Sequence, residues 1–159
     1  MSIRVLVPSA VVLLSLVWFG VASDSTQSQP SAKPTLPGAR EEIDAAKFPS
    51  LQAALDALPK EGGVVRIPPG TFEISQPLVL SRGDVLIQGS GAATHIKNVN
   101  ADGQPALVVK HPDGEKVKAD DKLWRVMLSN FRITGNEKSG HGIEALLIDE
   151  IFLQGVAVS

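Results

Sequence analysis

The sequence predicts an all-β chain of short strands led by one short helix. Three observations predict it. Apolar residues alternate with polar ones in runs of about three to five residues, near the short end of the usual strand range. Glycine and proline punctuate these runs at Pro68-Pro69-Gly70, Arg82-Gly83-Asp84 and Gly89-Ser90-Gly91. The connections are too short to hold the helical crossover of an ordinary α/β unit. Such a pattern is shared by sandwiches, barrels and solenoids.

The helix comes first. Leu51, Ala54, Leu55 and Leu58 fall at i, i+3, i+4 and i+7 and share one face. Pro49 and Ser50 suit a helix start, and Pro59 with Gly62-Gly63 suits its end, so a cap helix is expected over 50–59. From residue 64 the period changes to two. Val65 and Ile67 face one way and Arg66 the other. Phe72 and Ile74 alternate with Glu73 and Ser75. Leu78 and Leu80 follow Pro77, and Val85 and Ile87 follow the next turn.

These motifs occur in a specific order: Leu51-Gln52-Ala53-Ala54-Leu55, then Gly62 to Phe72, Pro77 to Leu80 and Val85 to Gly91. In that order they resemble the N-terminal segment of the pectate lyase-like superfamily. The resemblance covers residues 48–96, about a third of the chain. It implies a right-handed parallel β-helix, a solenoid with an N-terminal capping α-helix. It also implies a polysaccharide ligand, uronate polymers in particular. Family members include lyases that use calcium and an arginine base, and glycosidases that use spaced aspartates. A fold hosts many chemistries, so the enzyme question stays open.

Composition narrows the classes. The chain has 159 residues, enough for one domain, with 43% hydrophobic and only 4% aromatic residues. A formal net charge of -2 offers no basic patch for nucleic acid. With no cysteine there is no disulfide, thiol nucleophile, zinc-thiolate site or lipoprotein anchor.

Residues 1–23 have the three parts of a secretory signal: Arg4, an apolar stretch from Val5 to Phe19, and small residues Gly20 to Ser23. A secreted or periplasmic protein is expected, with no stable membrane insertion after cleavage. The alternative is an N-terminal membrane anchor, for which the apolar run is marginal. Residues 24–47 open with a stretch rich in Ser, Thr, Gln and Pro and are expected to form a flexible linker, with Glu41 to Lys47 forming a turn of its own. Residues 48–159 are then a partial β-helix.

Residues 97–122 are the least regular, with a strand at Ala106 to Lys110 between polar loops. Alternation resumes at Trp124 to Ile133, where Val126, Leu128, Phe131 and Ile133 are expected inside. Asn130 to Ile133 and Gln154 to Val158 lie about one coil of two dozen residues apart, but no strict repeat exists. Two or three strands are expected over 143–158. An uncapped end there exposes interior side chains and strand edges. That points to a longer protein, a truncated gene product, or self-association through the open solenoid end.

The candidate site residues are Arg132, His141, Asp149 and Glu150. Arg132 and Arg66 occupy outward strand positions and suit bidentate binding of sugar carboxylates. His141 sits in a turn between two glycines. Asp149-Glu150 and Asp120-Asp121 are adjacent acids, but neighbours on a strand face opposite ways. Calcium is implied by the resemblance alone. Asp102, Asp113, Asp120 and Asp121 could supply oxygens, yet their spacing fits no calcium loop, and His95, His111 and His141 share no metal spacing. Gly89-Ser90-Gly91-Ala92 lacks the Lys-Ser/Thr of a phosphate loop. Three readings remain: part of a lyase or hydrolase, a non-catalytic carbohydrate-binding protein, or an assembly module.

Overall fold

The computed structural model describes residues 36–118 and 121–159. The signal and residues 24–35 of the linker expected from the sequence, together with Asp120, lie outside the described residues. Among the described residues ten strands and one α-helix follow one another: β1 (Glu41–Asp44), α1 (Leu51–Asp56), β2 (Gly63–Arg66), β3 (Gly70–Ile74), β4 (Leu78–Leu80), β5 (Val85–Gln88), β6 (Thr94–Asn98), β7 (Leu107–Lys110), β8 (Val126–Thr134), β9 (Ile143–Leu146) and β10 (Ile151–Val158). No helix among the described residues is long and apolar enough to cross a membrane.

Every strand pair is parallel. The strands form two separate sheets. One is seven-stranded and curled, in the order β1-β2-β5-β8-β6-β3 with β10 also on β8; the other is β4-β7-β9. This corrects the expected right-handed parallel β-helix. Two features explain the difference. The step between paired strands is not constant: Gly63 faces Val85, but Val85 faces Val126, almost twice as far along the chain. And β8 runs nine residues without a connecting turn, pairing with β5 through its first half and with β6 through its second. It thereby joins into one sheet what a regular solenoid divides between faces. Alternation and turn chemistry specify short parallel strands; they do not specify a repeating coil.

The rows of paired residues explain the core. Ile43, Val65, Ile87 and Leu128 stack in register on β1, β2, β5 and β8, and all four are buried. Ile96 and Ile133 form a second buried row, and Leu80 and Val109 a third. Burial of such side chains contributes about 1.5–3 kcal/mol each. The inward positions expected over Trp124 to Ile133 are buried as expected: Val126, Leu128, Phe131 and Ile133.

Helix α1 closes one end of this core. Its Leu51, Ala54 and Leu55 are buried, and Ser50 caps it by accepting a hydrogen bond from Ala53 N. Gln52 ties α1 to β4 through two bonds, accepting from Val79 N at 2.8 Å and donating to Val79 O at 3.1 Å. The helix is shorter than the expected 50–59, because Ala57 already serves as its C-cap. Leu58 nonetheless stays buried. Glu41 to Lys47, expected as the end of a linker, is strand β1 followed by a 3-10 turn whose Asp44 side chain accepts from Ala46 N.

Candidate functional site

The outer face of the seven-stranded sheet carries the polar groups best placed to meet a ligand. Strands β3, β6 and β8 align Thr71 with His95 and His95 with Arg132. The next outward row aligns Glu73 with Lys97 and Lys97 with Thr134. These residues point outward because Phe72, Ile96 and Ile133 take the alternate inward positions.

Within this patch, Lys97 Nζ donates to Glu73 Oε1 at 2.8 Å. His95 Nε2 shares a hydrogen bond of 2.8 Å with Thr134 Oγ1. Burial favours the neutral imidazole and holds the His95 pKa below its usual value; the charges of Arg132 and Lys97 push the same way. Arg132 is exposed, and among the described residues it makes no ion pair or side-chain hydrogen bond. The local surplus of positive charge is therefore uncompensated around Arg132.

The other arginines of this face are engaged. Arg66 pairs with Glu42 and donates from Nη1 to Gln88 Oε1 at 2.8 Å. Arg125 grips both oxygens of Asp84, at 2.5 Å and 3.0 Å. These last two residues rim a shallow cleft of about 340 Å³ whose floor is the outward row Val64, Leu86, Met127 and Phe152.

The sequence-derived candidates do not converge. Arg132 lies on β8 in the patch just described. His141 is an exposed turn residue lining a separate cleft of about 320 Å³ with Asn136 and Ser139. Asp149 accepts from Lys122 Nζ at 2.9 Å. Glu150 precedes β10, and its charge acts on Arg125. Arg125 immediately precedes β8 and Arg132 lies seven residues further along the chain, on the order of 20 Å away. Asp149 and Glu150 are thus remote from Arg132. Of the acids considered for calcium, Asp102 and Asp113 are exposed loop residues. Among the described residues no three carboxylates or histidines come together as metal ligands.

Two arrangements escaped the sequence reading. One is the contact of His95 with Thr134, which are 39 residues apart in sequence. The other is an asparagine network. Asn136 Nδ2 donates to the carbonyls of Asn98 and Asn100, and Asn100 Nδ2 donates to Asn98 Oδ1 and Gln104 O. Only the asparagines beside turns hinted at the second; no local pattern signals the first.

No family model and no curated protein matches the chain. Among solved structures, ORF18 of Geobacillus virus E2 is similar, with a TM-score of 0.53 and 18% identity over 59% of this chain. The chain spans only 21% of that viral protein. At this identity the likeness concerns the fold alone.

Proposed function

We propose that this chain binds an acidic polysaccharide along the outer face of its seven-stranded sheet, with Arg132 as the carboxylate-binding group. The observation that carries the reading is the exposed guanidinium of Arg132, without an ion pair among the described residues, beside His95 and Thr134. A guanidinium offers a planar fork that matches a carboxylate bidentately. Thr134 and His95 add donors and acceptors for sugar hydroxyls. The strand-by-strand spacing of about 4.8 Å extends such contacts along a linear chain. A uronate polymer fits this chemistry, as the resemblance of residues 48–96 to pectate lyase-like proteins also suggests. A secretory leader at residues 1–23 accords with an extracellular ligand.

The reading assigns binding and no bond-breaking step. Asp149 is neutralised by Lys122, and Glu150 lies beside Arg125 rather than Arg132.

Calorimetric titration with oligogalacturonate tests it. Binding is expected for the wild type, weakened at least tenfold in Arg132→Gln, and absent for neutral dextran. Equal binding of the neutral and acidic glycans, or an unchanged affinity in Arg132→Gln, overturns the proposal.

A further inference from the structure

Lys97 shares the outward patch with Arg132, one strand away and one row along. His95 faces Arg132 across β6 and β8, and Lys97 faces Thr134. The 2.8 Å hydrogen bond between His95 Nε2 and Thr134 Oγ1 runs diagonally between these two rows. The two cations therefore flank one imidazole, and the charge of each acts on His95. A strand spacing of about 4.8 Å and a rise of about 3.3 Å per residue put their backbones on the order of 8 Å apart.

The two cations differ in one respect. Arg132 makes no ion pair among the described residues, whereas Lys97 Nζ is held by Glu73 Oε1 of β3 at 2.8 Å. Glu73 thus puts a carboxylate where the carboxylate of a ligand would sit. The pair is open to solvent, with the Lys97 and Glu73 side chains 45% and 59% exposed. Such a pair is held weakly, by a preference of no more than about fivefold. The ammonium ends a flexible four-carbon stem, so it can turn to a second carboxylate without moving the strand.

We infer that Lys97 is the second carboxylate-binding group of this site and that Glu73 is its built-in competitor. The inference rests on the reading that an acidic glycan binds at Arg132. It narrows the ligand to a chain bearing at least two carboxylates. The first is taken by the Arg132 guanidinium, and the second displaces Glu73 from Lys97. A sugar with a single carboxylate is held by Arg132 and leaves the Glu73–Lys97 pair closed. Glu73 therefore limits the affinity for the polymer, because its displaced charge stays beside the incoming one.

NMR titration of the full chain with galacturonate and with trigalacturonate tests this, followed at the His95 imidazole between the two cations. The readout is the ratio of the two affinities. Glu73→Gln is expected to raise the preference for trigalacturonate about fivefold, and Lys97→Gln to lower it. Glu42→Gln is the control: it opens the Arg66 pair elsewhere on the sheet and changes the net charge by the same amount. Its ratio should match the wild type. An unchanged ratio in Glu73→Gln or Lys97→Gln, or an equal rise in Glu42→Gln, overturns the inference. If Arg132→Gln weakens both ligands while Glu73→Gln leaves the ratio as it was, the inference alone fails. If Arg132→Gln binds both as tightly as the wild type, the reading at Arg132 fails and the inference with it. Glu73→Gln keeps the shape of an exposed side chain, so it decides the matter even if Lys97→Gln fails to fold.

Discussion

Asp84 and Arg125 are bound by two hydrogen bonds, 2.5 Å and 3.0 Å long, and both hold left-handed backbone angles, with φ of +55° and +54°. They occupy equivalent places just before β5 and β8. The backbone joins them further: Asp84 N donates to Trp124 O, and Val85 N to Arg125 O. The side-chain pair therefore spans the entry to two strands whose unusual backbone angles it helps to hold.

Separating the two contributions gives the first prediction. Arg125→Ala loses the ion pair and keeps the strained angle. Arg125→Gly loses the pair but relaxes the backbone, a gain of about 1 kcal/mol that offsets the loss. Urea unfolding should show Arg125→Ala destabilised relative to wild type, by the small amount expected of an exposed pair. Arg125→Gly should lie within about 0.5 kcal/mol of wild type, allowing for the unfolded-state entropy of glycine. Equal losses in both variants would contradict this division.

The same pair predicts an acid limb of stability. The hydrogen bonds from Arg125 hold the Asp84 carboxyl below its ordinary pKa, and Lys97 does the same for Glu73. A group whose pKa is lowered on folding contributes stability above its unfolded value and loses it as pH falls through the folded one. Thermal midpoints should therefore fall from the ordinary carboxylate range downward. Asp84→Asn should flatten part of that slope, and an unchanged slope would count against the pair.

Two glycines with positive φ should respond differently to alanine. A Cβ on Gly62 would overlap the carbonyl oxygens of Gly83 and Asp84, whereas Gly91 has open space around it. Gly91→Ala should cost only the left-handed penalty, about 1–2 kcal/mol. Gly62→Ala adds the collision of two backbones and should cost clearly more. Chemical denaturation of both variants checks the ranking.

The asparagine network predicts a further stability effect. Asn136→Ala removes the donors to Asn98 O and Asn100 O, 3.1 Å and 2.9 Å away. Loss of about 1–3 kcal/mol is expected, the usual cost of leaving such carbonyls unpaired. Phe131→Ala, at a fully buried position, should cost about 3–5 kcal/mol and sets the scale for core damage.

Much of the local structure was legible in the sequence. The helix showed through Leu51, Ala54 and Leu55, which are one apolar face, and Ser50 announced its cap. Val65, Ile67, Val85 and Ile87 displayed the period of two that puts them inside. What was not legible is long-range. No local signal says that β8 passes through Asn130 without leaving its sheet, and this continuity is what replaces the expected right-handed β-helix by one curled sheet and a second, smaller one. Of the candidate residues, Arg132 could be assigned to an outward position from alternation alone. Its neighbours could not, because His95 meets Thr134 only through the register of β6 on β8. Asp149 and Glu150 looked like candidates because they are adjacent acids, but Lys122 and Arg125 sit beside them.

The most direct test of acidic-glycan binding at Arg132 is the pKa of His95, followed by NMR of the labelled imidazole. Free, it should titrate below the ordinary histidine value, because burial, Arg132 and Lys97 all disfavour its charge. A carboxylate held by Arg132 opposes that cationic field, so the His95 pKa should rise when oligogalacturonate is added and affinity should strengthen as pH falls through it. A His95 pKa unchanged at saturating ligand would contradict the binding site.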